Sequence, residues 1–515
     1  MTPGRHKVRE WLGNLTDSVC FFAVAVMCVF IAFWLSFHIG DLYRIGGDEG
    51  YEALKGSLYG HGFRLYKEIW DDQPPLYTWL LALGFKSFGT FMPVARLVAS
   101  GFGILLFVAT FAVTRMSAGA LAGWLACVVL MLSPETLQLS LSVMQEVPTM
   151  SLALCSVWTA WLWKQNDKTV WLILSGVLMG LALQMKLTAA IVIPSLLLDL
   201  AMAAFGKYRL GWAGAMWCGR VIATWIGSLS LVFFGIAACF PGWGLDLLWF
   251  THAAASVGAG VRGSGVLRLS YFARAVPMLL GAVMFLFVTI ISRQRKNFLF
   301  YYAFLLTVCV IHVFHRPFWD YYMFHFDLAM ALPAGIVMSM FFKGAGLQGK
   351  EPQVVDYRRK VASLCGYAVL VFVLVVGGGP VLYQSCMTLQ NSERISENPL
   401  PAVVRECKNT AGQLFTIAPL EGFYSGLPVV PFLAVLSPVR YWSGQISDAK
   451  ILTMLKRIRP AYLLLPSNYL AKPGWAVFVD EGYAHVSVVR GEVFYKAKSL
   501  LGQKSDFSPH VMNAD

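Results

Sequence analysis

Apolar runs about 20 residues long recur along most of this chain, and each can cross a hydrocarbon core of roughly 30 Å as a helix. A helix satisfies its own backbone polar groups, so runs of this kind limit the fold to a helical bundle in a bilayer. About eleven such spans fit the sequence, near 18–38, 92–114, 119–134, 137–163, 171–185, 187–204, 216–239, 274–291, 299–315, 322–342 and 361–382. Only 13% of the residues are charged, against about 25% in soluble domains. The net charge of +13 does not point to nucleic acid. Its lysines and arginines fall mostly in short segments between the runs, as the positive-inside rule requires.

That asymmetry also orients the chain. Arg5, Lys7 and Arg9 precede the first run, and Arg115, Lys164, Lys168, Lys207, Arg293, Arg295 and Lys296 fall in alternate later segments. The opposite short loops carry little more than Lys186 and Arg316. The N-terminus is therefore expected in the cytoplasm, in an inner or plasma membrane. The basic start "MTPGRHKVREW" leads into an apolar run with no small-residue cleavage site, so the first helix is read as uncleaved. Eight of the ten cysteines lie in or beside apolar runs without metal-ligand spacing, as small buried hydrophobes do. Cys386 and Cys407 fall in the polar tail and could pair if that tail is extracytoplasmic.

The expected organisation is a transmembrane domain over 1–383 and a small extracytoplasmic α/β domain over 384–515. In the tail, "QLFTIAPL" and "AYLLLPS" read as strands, "SDAKILTMLKRIRP" as a capped helix stopped by Pro460, and "HVSVVRGEVFYKA" as a hairpin. Two outer loops stand out, about 39–91 and about 240–273.

The first of these begins with "GGDEGYEALKG" (46–56), where Asp48 and Glu49 follow the first span. Carboxylates at a membrane surface lose hydration and persist with polar partners or a function. A solvated turn with Asp48 as helix N-cap is the plain alternative. Glu146, in "LSVMQEVPTMSLAL" near the outer end of the predicted fourth span, is an isolated acid in an apolar run. Such acids are functional candidates or interhelical hydrogen-bond partners. Pro148 is expected to open the helix beside it. The aromatics Trp70, Tyr77, Trp79, Trp243, Trp249, Trp319, Tyr321 and Tyr322 cluster at outer ends, as an interfacial belt does.

The stretch "GGDEGYEALKG…LYKEIWDDQPPLYTWLLALGFKSFG" resembles the first outer loop of bacterial polyprenyl-phosphate-sugar-dependent glycosyltransferases. These are relatives of the protein O-mannosyltransferases and of the lipid A aminoarabinose transferase, all of GT-C architecture. The shared pattern is an acidic pair, a Tyr, an aromatic stretch and Pro-Pro-Leu, here Asp48, Glu49, Tyr51, Tyr66 and Pro74-Pro75-Leu76. Arg96 after "FGTFMPVAR", Glu146, Lys186 in "GVLMGLALQMKLTA" and Tyr322 in "HRPFWDYYMFHFDLAMALPAG" follow in order. Many relatives carry Lys before Pro-Pro-Leu, at the donor phosphate; this chain has Gln73.

The resemblance implies a GT-C-like fold and an enzyme moving a sugar from a polyprenyl-phosphate carrier to a hydroxyl acceptor on a lipid, glycan or protein. Asp48 is the expected base, with Glu49 or Glu146 orienting acceptor or sugar. Single displacement would invert the anomeric centre. Cations for the phosphate would come from Lys67, Lys186, Arg262, Arg268 or Arg316, with His315 if protonated. Tyr51, Tyr66, Gln73 and Tyr322 are further candidates for substrate contact. No cofactor is required on chemical grounds, although a divalent ion on the Asp-Glu pair stays open. The rival reading is a transporter or flippase for a lipid-linked sugar, since intramembrane acids also serve as coupling-ion sites. No repeat between the halves is evident, and the acids map to the outer face rather than the midplane.

Overall fold

The computed structural model describes residues 18–208, 212–261, 276–291, 298–344, 378–398, 412–489 and 491–501, with isolated positions at 267, 272, 375, 400 and 403. In chain order its helices begin with α1 (Val19–Phe37), α2 (Glu49–Gly60), α3 (Leu76–Phe88), α4 (Met92–Ala118), α5 (Ala120–Met131) and α6 (Pro134–Leu141). They continue with α7 (Glu146–Asn166), α8 (Thr169–Met185), α9 (Ile193–Tyr208), α10 (Trp212–Ala238), α11 (Leu245–Val261), α12 (Val276–Ile291), α13 (Leu299–Phe314) and α14 (Met323–Gly344). The last are α15 (Gly379–Gln390), α16 (Pro419–Ser425), α17 (Pro438–Trp442), α18 (Asp448–Ile458) and α19 (Trp475–Gly482).

Among the described residues five helices are long and apolar enough to span a membrane: α1, α4, Leu187–Gly206 (overlapping most of α9), α10, and Asp320–Phe342 (overlapping most of α14). α5 and α6 would make a sixth but meet at 84°, and α8 and α13 are apolar but shorter. The span expected at 361–382 falls largely outside the described residues.

One sequence expectation fails here. The run 137–163 is not a single helix, because α6 ends at Leu141 and α7 starts at Glu146. Pro148 sits in the first turn of α7, where a missing N–H leaves no bond unmade, so it starts the helix rather than opening it.

α1 shows how little contact a lipid-facing helix needs. Ser18 caps it, accepting from the Phe21 amide at 3.5 Å. Only Phe22, Val26 and Phe30 are buried, one residue every turn. That stripe meets α4, with the Phe22 and Phe111 rings stacked at 4.2 Å. α14 is the opposite case, with 89% of its apolar window buried.

Small residues allow a close crossing between α8 and α10. A Cβ on Gly176 would collide with the Ser228 hydroxyl and the Trp225 carbonyl. The Trp225 indole donates to the Ser175 hydroxyl at 2.9 Å across the same seam.

The described part of the tail holds a four-stranded sheet of β1 (Leu414–Thr416), β2 (Tyr462–Pro466), β3 (Tyr483–Val489) and β4 (Glu492–Ala497), ordered β1-β2-β4-β3. β1 and β2 run parallel, and β4 is antiparallel to both β2 and β3. β2 is buried on both faces, which is why it reads as an unbroken apolar run. Leu463 and Leu465 pack among Phe415, Leu455 and Trp475. The alternate residues Tyr462 and Leu464 pack with Leu54, Leu58 and Ile69 of the first outer loop. The sheet therefore clamps α2, and Gly50 lies so close to Leu420 of α16 that a Cβ would come within 2.6 Å of its backbone nitrogen.

Gly176→Val is expected to destabilise the protein by about 1–3 kcal/mol through overpacking. Gly227→Ala, facing open space on α10, should leave thermal unfolding in detergent unchanged.

Candidate active site

The two adjacent acids at 48 and 49 point to different environments. Glu49, the first residue of α2, is fully buried. Arg96 of α4 donates to both its carboxylate oxygens at 2.8 Å, from Nε to Oε1 and from Nη2 to Oε2. The Ile45 amide adds a bond at 3.0 Å and the Val143 amide one at 3.3 Å. Arg96 also donates to the carbonyls of Ile39 at 2.8 Å and Leu42 at 2.5 Å. One ion pair thus ties the end of the first span, α2, α4 and the 142–145 turn together. Glu49 does not line the cavity described next, and its oxygens are taken by Arg96 and amides.

Asp48 occupies the N-cap position but makes no capping hydrogen bond. It lines a cavity of about 550 Å³. The walls come from α2 (Asp48, Tyr51, Glu52, Lys55), the loop before α3 (Asp72, Gln73) and the start of α7 (Gln145, Glu146). Lys186 and Thr188 after α8, His252 on α11, His312 and His315 at the end of α13, and Tyr321 and Tyr322 complete them. Val435, Ser437, Pro438 and Val439 form a roof supplied by the tail. Tyr51 donates to the Leu436 carbonyl at 3.3 Å, and Gln445 bridges the Trp70 indole at 2.6 Å and the Thr251 hydroxyl at 2.7 Å.

Burial pushes the Asp48 carboxyl up to about 6; Lys186 opposes that shift, while Glu146, Glu52 and Asp72 add to it. Lys186 donates to Glu146 Oε1 and lies over the Tyr321 and Tyr322 rings at 5.2 and 5.7 Å. Lys55 forms a second polar knot. Its ammonium meets Asp71 at 2.9 Å and Glu52 at 3.0 Å, and Gln145 holds the other Glu52 oxygen at 3.0 Å. Asp71 accepts from the Gln73 amide at 3.1 Å, and burial drives its carboxyl up to about 7 against the pull of Lys55. His252 stands 3.7 Å from the Asp72 carboxylate.

The structure thus gathers Asp48, Tyr51, Gln73, Glu146, Lys186, His315 and Tyr322 on one cavity. Others are placed elsewhere. Tyr66 donates to the Gln73 carbonyl at 2.8 Å without lining the cavity. Lys67 and Arg316 are exposed, and Arg262 and Arg268 lie outside the described residues. His315 is a poor cation, because burial with His252 and Lys186 nearby depresses its pKa. Lys55 and Lys186 are the lysines on the cavity wall among the described residues. Lys55, Glu52, Asp71, Thr188 and His312 were not foreseen. The i,i+3 spacing of Glu52 and Lys55 beside an Asp-Asp pair was the available signal.

No group of three or more His, Cys, Asp or Glu able to hold a metal occurs among the described residues. Since both Glu49 oxygens face Arg96, the Asp48-Glu49 pair is not arranged as a chelate.

The model of the dolichyl-phosphate-mannose-protein mannosyltransferase family matches residues 72–233. No curated protein matches the chain in sequence. In structure, ArnT from Cupriavidus metallidurans bound to undecaprenyl phosphate superposes with a TM-score of 0.55 at 16% identity, covering 93% of this chain and 99% of that one. The apo oligosaccharyltransferase of Archaeoglobus fulgidus gives 0.60 at 10% identity, covering 92% and 74%. Its form in complex with an inhibitory peptide and a dolichol-phosphate, there called AglB, gives 0.56 at 11%, covering 93% and 74%. The GT-C resemblance first seen around Asp48 therefore extends to sequence over 72–233 and to fold over most of the chain.

Arg96→Met should cost about 3–5 kcal/mol, because it leaves the Glu49 carboxylate buried without its counter-charge. Arg96→Lys should recover only part of this, lacking the two-pronged geometry. Thermal unfolding of both variants in detergent checks the prediction.

Proposed function

We propose that this chain is a multi-pass membrane glycosyltransferase. It moves a sugar from a polyprenyl-phosphate carrier to a hydroxyl on a lipid, glycan or protein at the outer face of the membrane, inverting the anomeric centre. The observation that carries this reading is the convergence of Asp48 with the Glu146–Lys186 pair on one cavity in a GT-C fold. The bound lipids named for the solved ArnT and AglB structures, undecaprenyl phosphate and dolichol-phosphate, fit the same donor class.

In the step, the acceptor oxygen attacks the anomeric carbon and its proton passes to the Asp48 carboxylate. The bond from that carbon to the phosphate oxygen breaks, and the electron pair leaves with polyprenyl phosphate. A base raised to about 6 is still mostly ionised at neutral pH and binds a proton more firmly than an ordinary aspartate. Lys186 stabilises the negative charge that grows on the leaving phosphate. Tyr321 and Tyr322 hold its ammonium over their rings. Glu49 acts as an anchor, fixing α2 so that Asp48 faces the cavity.

Asp48→Asn should lower transfer by at least about 10²-fold while thermal unfolding stays that of the parent. Transfer would be followed as release of polyprenyl phosphate from the sugar-linked lipid by the purified protein. Full activity in this variant removes Asp48 from the base role, and movement of the lipid with its glycosidic bond intact favours a transporter.

The pH dependence has a definite sign. A base must be ionised to act, so kcat/KM should fall about tenfold per pH unit below about 6 and level off above. A profile flat down to pH 4.5 contradicts Asp48 as base. Lys186→Met should lower kcat/KM by about 10²-fold.

A further inference from the structure

Four polar side-chain atoms of residues lining the cavity have no hydrogen-bond partner among the described residues: Ser437 Oγ in the roof, and Glu146 Oε2, Thr188 Oγ1 and His312 Nδ1 in the walls. Each is shielded from water, and Glu146 and His312 are 0% and 2% exposed. The three wall atoms come from separate elements, the start of α7, the turn after α8 and the last turn of α13. Folded proteins rarely leave buried polar atoms unpaired, and several on residues that line one cavity point to a ligand that pairs with them.

The chemistry of the three atoms narrows that ligand. Glu146 already gives Oε1 to Lys186, so Oε2 offers an acceptor. Thr188 offers a hydroxyl that donates or accepts. His312 Nε2 lies 2.9 Å from His325 Nδ1, with the two rings nearly parallel at 11°. That bond needs a lone pair on one ring, so at least one of the two is neutral. With both rings neutral, the direction of that bond sets the His312 tautomer: donating through Nε2 leaves Nδ1 an acceptor, and accepting at Nε2 leaves Nδ1 a donor. An acceptor, a hydroxyl and an ambivalent imidazole suit neutral groups that both donate and accept, which are sugar hydroxyls.

We propose that Glu146, Thr188 and His312 form a hydroxyl-binding subsite for the sugar ring of the donor, with His325 as a positioning residue behind His312. The subsite rests on the reading of the cavity as the place where a lipid-linked sugar binds. Lys186, bonded to Glu146, puts the phosphate cation beside the subsite. His312 belongs to no motif by which the chain resembled its relatives, and Thr188 lies two residues past Lys186 at the end of one such stretch.

The test measures binding rather than turnover. Full-length protein in detergent is titrated with undecaprenyl phosphate alone and with undecaprenyl phosphate carrying a hexose or a pentose, and affinity is read from thermal shift. At least one sugar-linked lipid should bind about tenfold more tightly than the bare lipid. Thr188→Val, close in shape but lacking the hydroxyl, should reduce that preference to less than threefold. Thr188→Ser, which restores the hydroxyl, should keep it, and a merely structural role would not separate the two. His312→Phe should remove the preference as well. The proposal is overturned if no sugar-linked lipid binds better than the bare one, or if the Val and Ser variants behave alike. If sugar preference depends on Thr188 and yet no transfer occurs, the glycosyltransferase reading fails and the subsite stands.

Discussion

The Glu49–Arg96 pair is the contact on which the working part of this molecule depends. Both partners are fully buried, and four of the five guanidinium N–H donors are used this way, two on the carboxylate and two on the backbone carbonyls of Ile39 and Leu42. An ion pair out of water persists only when its remaining polar valences are also met. Meeting them here joins four stretches of chain at one point. Asp48 inherits its position from that junction. It is free of capping duty, one residue before a side chain that cannot move.

Charge around the cavity is arranged in two knots. One pairs Lys186 with Glu146 under two tyrosine rings; the other holds Lys55 between Asp71 and Glu52. Both keep a lysine charged in a place where burial would otherwise strip its proton. The knots differ in balance. The first is one cation to one anion, while the second has two carboxylates around its ammonium and Asp72 close by. An anionic phosphate therefore finds less repulsion beside Lys186, and a neutral hydroxyl is better suited to the acidic wall.

Composition and pattern made the helical bundle legible, because lipid leaves a chain few options and the apolar runs record them. The helix at 448–458 was equally readable: Ser447 caps it through the Lys450 amide at 3.3 Å, as its sequence pattern predicts. What could not be read was the divergence of two neighbouring acids. Glu49 is turned inward by an arginine 47 residues away, and no local rule carries that information. Lys55 carried no signal in the sequence beyond its i,i+3 spacing from Glu52. It is buried on the cavity wall between Glu52 and an aspartate 16 residues away, Asp71. The break before Glu146 was missed for a similar reason. The Val143 amide is spent on Glu49 rather than on a continuing helix. In each case a partner distant in sequence outweighed a local preference.

The roof over the cavity has a temporal consequence. Asp48 is synthesised before the helices from α4 to α14, whereas Val435 to Val439 follow them in the chain. During synthesis the chamber must stand unroofed while the bundle inserts. Its acids and lysines are then open to water until that segment docks. Biogenesis thus orders the two events: the bilayer receives the helices first, and dryness around the acidic residues arrives only when the later segment closes over them.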